Sequence, residues 1–520
     1  MRNELLKRVD IVIPVYNALE SLQLCIESIR KYTDLKLHRV IIINDCSSDQ
    51  RIKPYLDTLK NQEFTIIHNE KNKGFSANVN TGMSYSSSRD VILLNSDTIV
   101  TKRWVEKLIN CAYATKETGT VTPLSNSATI ASVPVAFVDN ALPEGLSVDE
   151  FAELVEQSSF CEYPRITVAV GFCMYIKREV IDKVGLFDAE TFQKGYGEEN
   201  DFCSRAEIYG YQHVLCDDTF IYHEGTQSFL STEKEKLMRE HREILDKRYP
   251  KQMRENDLFC VQNPQQYIRD NIKLYLALTN GKKNILYLSH YHFEEGTQNN
   301  CGGTQFHIKD LKDGLVKEQN IFVAARNKNE LLLTAYVEEQ TYTFRFEIGK
   351  LTPFFMFTNQ KLKRIFSMIL NACRIDLVHI QNVIGLSFDM FDAAKELNIL
   401  LALTLHDYYF ICPNYTLLNE HRELCHGICT SCEGRKECLY NSIQVSEVDE
   451  YLLEWRRKCA RVLELCDCIF APSESVWKMY TKIYPQIQNK MFVIEHGFNK
   501  QLDSREKRYV VPKQTALGII

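Results

Sequence analysis

Short apolar runs recur along the chain, each ending in polar or acidic residues and followed by an amphipathic stretch. VDIVIPV (9–15), RVIIIND (39–45), FTIIHN (64–69) and DVILLNSD (90–97) read as strands. Between them lie helical patterns: Leu22, Ile26 and Ile29; then Ser76 to Ser86; then Trp104, Leu108 and Tyr113. Apolar strands alternating with helices predict an α/β fold, with a mainly parallel sheet covered on both faces. In such sheets ligands bind beyond the carboxyl ends of the strands. Asn17, Asp45 and Asp97 stand at or just past those ends.

The alternation continues far beyond one core. KKNILYLSH (282–290), IFVAA (321–325), DLVHIQ (376–381), LLALTLHD (400–407), CIFAPS (468–473) and MFVIEHG (491–497) form a second strand series. A chain of 520 residues calls for more than one domain. The expected division is a first domain at 1–265, a linker at 266–281 marked by Asn263-Pro264 just before it, and a second domain at 282–520. A charged amphipathic segment, 229–249, reads as a helix stopped by Pro250. It could touch lipid, or simply turn a solvated face outward.

Composition narrows the classes. The net charge of −6 gives no sign of a nucleic-acid partner. No run reaches the roughly 18 apolar residues of a membrane span, and the start does not read as a signal peptide. The expected location is therefore cytoplasmic, which keeps most of the 18 cysteines reduced.

Each candidate group has a structural alternative. Asp97 can bind a divalent metal that bridges a nucleotide diphosphate, or cap the next helix. Asp45 can accept from a base or ribose, or serve a turn with Ser47, Ser48 and Asp49. Gly74 permits close approach to a ligand or a plain turn. Glu198, Glu199 and Asp201 can include a general base, or favour a helix N-terminus. His223 can be a ligand or a locally bonded histidine.

Taken as an ordered set, the four strand segments, NKGFSANVNTG (72–82), GFCMYIKREVIDKVGLFD (171–188), GYGEENDFCSRA (195–206) and YHEGTQSF (222–229) resemble an inverting family 2 glycosyltransferase of the GT-A fold. Within that family they look most like rhamnosyltransferase-like enzymes of bacterial surface polysaccharide synthesis. NSD (95–97) stands where the family carries its DxD motif, with Asn95 at the first position. The resemblance implies that Pro14, Tyr16, Asn17 and Asp45 line the nucleoside pocket. It places Gly74, Asn78, Asn95 and Ser96 near the nucleotide sugar, and Asp97 with His223 on a Mn2+ or Mg2+ ion. Glu199 becomes the base, with Glu198 in reserve. Gly171, Phe172 and Asp188 become the acceptor floor; Asp201 lies beside them or orients the helix. The implied partners are a UDP- or dTDP-sugar, dTDP-rhamnose being the first guess, and a saccharide acceptor. If that acceptor is lipid-linked, the protein would contact the inner face of the plasma membrane peripherally.

GGTQFHIKDL (302–311), with DLVHIQN (376–382), LTLHDYYFICPNYTLL (403–418), IFAPSE (469–474) and VIEHGF (493–498), resembles the N-terminal Rossmann-like domain of a family 4, GT-B glycosyltransferase. Gly302 and Gly303 could bring backbone amides to a ligand. His379 and His406 are candidates for acceptor or catalytic contacts, or histidines bonded to nearby backbone. The second Rossmann-like domain of that family would begin about where QTALGII (514–520) stands, so this half reads as truncated. Cys425, Cys429, Cys432 and Cys438, with Cys412 upstream, either form a structural Zn2+ site or are reduced thiols. The rival reading of the whole is a non-catalytic scaffold, or an acceptor-binding module of a larger bifunctional transferase. A nucleotidyltransferase lacks support because no glycine-rich basic loop follows the first strand. A dehydrogenase lacks it because the second half has no G-x-G-x-x-G.

Overall fold

The computed structural model describes residues 7–496 except 61–62, 86, 194, 226–230, 293–301, 351–356 and 419–447. Two units divide between Lys273 and Leu274. Each is an α/β unit built on an eight-stranded sheet.

In the first unit, β1 (Val9–Val15), β2 (Arg39–Asn44), β3 (Phe64–His68) and β4 (Asp90–Leu94) are parallel, in the order β3-β2-β1-β4. Beyond β4 the sheet becomes mixed. β8 (Cys173–Ile176) lies antiparallel to β4, followed by β6 (Thr118–Leu124), β9 (Gln212–Phe220) and β7 (Arg165–Ile166). A separate ribbon pairs β5 (Thr98–Ile99) with β10 (Tyr222–His223). Strands buried on both faces explain the unbroken apolar runs. Val12, Ile41, Ile43, Val91 and Leu93 pack with Val79, Met83, Phe187 and Phe202 in one cluster.

The second sheet runs β14-β13-β12-β11-β15-β16-β17-β18. β11 (Asn284–Ser289), β12 (Asn320–Asn327), β15 (Leu377–Ile380), β16 (Leu400–Thr404), β17 (Cys468–Ala471) and β18 (Met491–Val493) are parallel. β13 (Glu330–Val337) and β14 (Gln340–Glu347) add an antiparallel hairpin at one edge.

One expectation needs correction. The run 90–97 leaves the strand at Leu94, where Asn95-Ser96-Asp97 turns out of the sheet. The charged helix does stop before Pro250, as expected. Helix Ser231–Arg248 stops before Tyr249, and Pro250 then opens helix Pro250–Gln262, a first-turn position where its missing N–H costs nothing. The division between the units falls within residues 266–281, expected as the linker, where the chain runs as helix Gln266–Ala277. Its Arg269 is buried and donates to the carbonyls of Ser132 (3.0 Å) and Ile130 (2.6 Å), which ties its first half to the first unit. Among the described residues no helix is long and apolar enough to cross a membrane.

Candidate active site

The ribbon of β5 and β10 sets the first part of the site. Its register pairs His223 with Thr98, which brings His223 alongside Asp97. Nε2 of His223 lies 3.3 Å from Oδ1 of Asp97. The ring is fixed from behind. Nδ1 is 2.7 Å from the Ser127 carbonyl, and a carbonyl only accepts, so Nδ1 carries the proton. Asn126 brackets the backbone, accepting from His223 N–H (2.8 Å) and donating to its carbonyl (2.9 Å). Phe172 stacks on the imidazole, centroids 5.3 Å apart.

This leaves Nε2 buried without a hydrogen-bond partner and close to a carboxylate. The contact has ion-pair distance but not hydrogen-bond alignment. Burial works against charging this imidazole, but Asp97 and the Ser127 carbonyl outweigh it and raise its pKa. Two electron-rich atoms so arranged suit a proton or a divalent cation between them. No set of three or more His, Cys, Asp or Glu forms a metal cage among the described residues. Two protein ligands completed by substrate phosphates nevertheless fit a Mg2+-type site. Asn95 uses its backbone here: its N–H donates to the Phe172 carbonyl (2.8 Å) and its carbonyl accepts from Thr98 Oγ1 (2.8 Å).

On the nucleoside side, Pro14 is buried in β1 and Tyr16 beyond it is 53% exposed. Asn17 has a positive φ (63°) and knits the loop after β2, donating to Ser48 Oγ (3.1 Å) and accepting from Asp49 N–H (2.9 Å). Asp45 is less free than expected. Its buried carboxylate accepts from Asn69 Nδ2 (2.8 Å), Lys73 N–H (2.9 Å) and Gly74 N–H (3.0 Å). A carboxylate offers about four acceptor positions, so about one remains for a ligand. Asn78 is also turned inward. It donates to the Ile43 carbonyl (3.1 Å) and accepts from Asn69 (2.9 Å), so it braces the pocket rather than lining it. Gly74 is required where it stands: φ is +82°, and a Cβ would lie 2.4 Å from the Gln193 carbonyl oxygen. The loop locked by Asp45 thus packs directly on the loop leading to the glutamates.

That loop is unusual. Gly195, Tyr196 and Gly197 have φ of +89°, +66° and +148° in succession, and helix Glu198–Ile208 follows at once. A left-handed non-glycine residue costs about 1–3 kcal/mol, so the turn needs outside support. Glu198 is 4% exposed and folds back to accept from Gly197 N–H (3.1 Å); Glu199 is half-buried. Burial first, and the neighbouring Glu199 second, push the Glu198 pKa well up. Burial also raises Glu199, opposed by amides at the helix start and by Glu198. Glu198 is thus the more disfavoured as an anion, and Glu199 is the better placed of the two to act as a carboxylate. Oε2 of Glu199 is buried without a partner.

Gly171 joins the two halves of the site. A Cβ there would lie 4.0 Å from Glu199 Oε1, and the next residue, Phe172, stacks on His223. Asp201 takes the second of its expected roles, orienting helices, and Asp188 is claimed by partners of its own. Asp201 is buried and accepts from Arg205 Nε (2.8 Å), Arg248 (3.1 Å) and Tyr249 Oη (2.9 Å), so it anchors helices and does not face an acceptor. Asp188 pairs with Arg248 (2.8 Å) and accepts from Thr191 N–H (3.0 Å). Partial burial opposes its charge, yet these partners hold its pKa at about 2.

In the second unit, Gly302 caps helix Gly303–Leu315, its N–H donating to Gln305 Oε1 (3.0 Å). His379 meets Thr404 Oγ1 (2.8 Å), and His406 meets Gln381 Oε1 (2.7 Å). The neighbours of His406 are other histidines. Its ring centroid lies 4.8 Å from that of His496 and 5.3 Å from that of His307, and those two are 4.2 Å apart. Burial first, then mutual repulsion, lowers His406 to about 2 and His379 to about 3. Sequence reading missed His307 and His496; both were visible in GGTQFH and IEHGF, next to glycines at a helix start and a strand end. Cys425, Cys429, Cys432 and Cys438 lie outside the described residues.

Residues 10–185 match the model of Glycosyl transferase family 2, and residues 301–502 that of Glycosyltransferase Family 4. No curated protein matches the chain. Similar solved structures include GalNAc-T7 with UDP, GalNAc and Mn2+, at 19% identity and a TM-score of 0.34, covering 43% of this chain and 45% of that one. The match thus spans less than half of that protein's length. Another is the mannosyltransferase PcManGT from Pyrobaculum calidifontis with GDP-Man and Mn2+, at 14% identity and a TM-score of 0.35, covering 53% of this chain and 76% of that one. Residues 10–185 thus form a glycosyl transferase family 2 domain and residues 301–502 a glycosyltransferase family 4 domain, in that order along the chain.

Proposed function

We propose that the first domain transfers a sugar from a nucleotide diphosphate donor to a saccharide hydroxyl with inversion, Glu199 acting as base. The observation that carries this reading is the convergence across Gly171-Phe172. On one side stand Asp97 and His223 with a bare Nε2; on the other, the Glu199 carboxyl with a buried, unpartnered Oε2. Glu199 takes the acceptor proton as the acceptor oxygen attacks the anomeric carbon from the face opposite the diphosphate. Burial disfavours charge on Glu198 more strongly, which favours Glu199 as the proton acceptor. A Mn2+ or Mg2+ ion on Asp97 and His223 would neutralise negative charge growing on the leaving diphosphate. Tyr16 offers an exposed ring to the base, and the remaining acceptor position of Asp45 suits a base N–H or ribose hydroxyl.

The resemblance to rhamnosyltransferase-like enzymes makes dTDP-rhamnose the first donor to try, then UDP-sugars. It also favours a lipid-linked saccharide acceptor, met by a cytoplasmic protein at the inner face of the membrane. In the second domain, His406 and His496, stacked beyond the ends of β16 and β18 and pushed toward the neutral form by burial, suit a hydroxyl-rich ligand, and we read it as an acceptor-binding module.

The test is calorimetric titration of UDP and dTDP, each with and without Mn2+, into wild type and Asp97→Ala. Metal-dependent binding lost in the variant is the expected result. A folded wild type that binds neither nucleotide would turn the reading to a scaffold.

A further inference from the structure

The turn that presents Glu198 and Glu199 holds three residues of positive φ in a row, and its own hydrogen bonds do not explain its stability. The support comes from helix Ser231–Arg248. His241, Leu245 and Arg248 lie on one face of that helix, four and then three residues apart. His241 is buried, and its Nδ1 stands 3.0 Å from the Tyr196 carbonyl, so it donates to the middle residue of the turn. Its ring meets Phe192 edge-on, centroids 5.0 Å apart. Leu245 packs on the same Phe192. Arg248 donates to Asp188 (2.8 Å), Asp201 (3.1 Å) and Thr191 Oγ1 (2.9 Å), and its guanidinium lies 5.7 Å from the Phe192 ring centre.

Phe192 is the floor on which this face rests. It is fully buried, and its carbonyl accepts from Ser76 Oγ (2.5 Å) and from Gly195 N–H (3.2 Å). A side chain at Gly197 would run into the Phe192 ring at 2.9 Å and into His241 Cβ at 3.4 Å. The turn is therefore pinned between Phe192 below and the helix above, with Asp188 and Asp201 fixing its two flanks.

We infer that His241 and Arg248 are positioning residues for transfer: they hold the strained turn 195–197 so that Glu199 meets the acceptor hydroxyl. The inference rests on Glu199 being the base. It gives the charged helix a task that its sequence did not disclose.

Two measurements test it, on the full chain. The first is amide hydrogen exchange of wild type, His241→Phe and His241→Gln. Phe keeps the ring packing and removes the donor; Gln keeps a donor. We expect about tenfold faster exchange across 195–202 in His241→Phe, unchanged exchange at 90–99, and near wild-type protection in His241→Gln, the scale of one lost hydrogen bond. Unchanged protection of 195–202 in a folded His241→Phe overturns the inference. The second is release of nucleotide from dTDP-rhamnose and UDP-glucose. His241→Phe and Arg248→Met should lower kcat about tenfold or more while leaving KM for the donor within about twofold. Glu199→Gln is the control. If Glu199→Gln is inactive and both other variants keep wild-type kcat, the positioning role falls while the base assignment stands. If Glu199→Gln keeps wild-type kcat, the base assignment falls and takes the positioning role with it.

Discussion

Both units gather their chemistry in the same place, beyond the carboxyl ends of parallel strands, yet they stock it oppositely. The first unit places acids there: Asp45, Asp97, Glu198 and Glu199. Two of them, Asp45 and Glu198, accept from backbone amides, and a few atoms are left bare, such as Nε2 of His223 and Oε2 of Glu199. The second unit places histidines there, stacked on one another and kept neutral by burial. The ends of parallel strands thus offer one mouth suited to a cation and a proton acceptor, and another suited to uncharged hydrogen bonding. Fold class fixes where a site lies; the side chains at the strand ends decide what it can do.

The sharpest way to break this comparison is to remove the proton acceptor. Glu199→Gln should lower kcat for nucleotide release by about 10²–10⁴-fold, the range for loss of a general base, with donor binding unchanged. Glu198→Gln should cost far less, because burial pushes the Glu198 carboxyl toward its neutral form, which an amide mimics closely. Equal losses in the two variants would mean that the pair acts as one unit and that Glu199 has no separate role.

Acidification should split the two units. In the second, His290 and His307 are lowered to about 4, His379 to about 3 and His406 to about 2, mainly by burial. Their folded pKa values lie below the unfolded value near 6.5, so the unfolded chain binds protons first and stability falls as pH falls. From pH 6.5 to 5.5 each should cost about 1 kcal/mol, and the set roughly 3–4 kcal/mol. Asp407, raised to about 6 by burial, returns part of this. In the first unit, burial raises Glu198 and lifts Asp217 to about 6, so protonation favours its folded form over the same window. His213, lowered to about 4 by burial, and His38, also lowered by burial, are opposing groups there. Hydrogen exchange at pH 7.0 and 5.5 should show the second unit opening first. Equal loss in both units would sink the contrast.

Much of the first mouth was legible because its groups are local to strand ends. Asp45, Asp97 and the pair at 198–199 stand at predictable offsets after apolar runs or glycines. What was not legible depends on partners far away in sequence. Asp201 reads as an acid in an active-site motif until Arg248 and Tyr249 claim it from 47 and 48 residues away. Asn78 reads as a ligand contact until Ile43 and Asn69 claim it. The hairpin of β13 and β14 escaped for a different reason. Its turn is Glu338-Glu339, both with positive φ (50° and 65°), where Asn-Gly is the usual signal. Its second strand still alternates, with Phe344 and Phe346 buried between exposed neighbours.

Asp97→Ala sharpens the comparison at the metal. Mn2+-dependent nucleotide affinity should fall about 100-fold, the upper end of what loss of a supporting group costs a metal site. Nucleotide affinity without metal should change little. The same titration into a variant altered only at His406 should match wild type, since that histidine belongs to the other mouth.

The smallest effect expected is at Tyr16. Its ring is exposed at the end of β1, next to the loop that Asn17 knits and one strand away from Asp45. Stacking of a base on an aromatic ring is worth about 1–3 kcal/mol when removed by alanine. Because this ring is open to water on one side, we expect the low end, about a fivefold to tenfold loss of UDP or dTDP affinity in Tyr16→Ala. The loss should appear with and without Mn2+, which separates it from the Asp97 effect, and Tyr16→Phe should retain wild-type affinity. An unchanged affinity in Tyr16→Ala would place the base elsewhere along the strand ends. The remaining acceptor position of Asp45 would then be the first place to look, through Asp45→Asn.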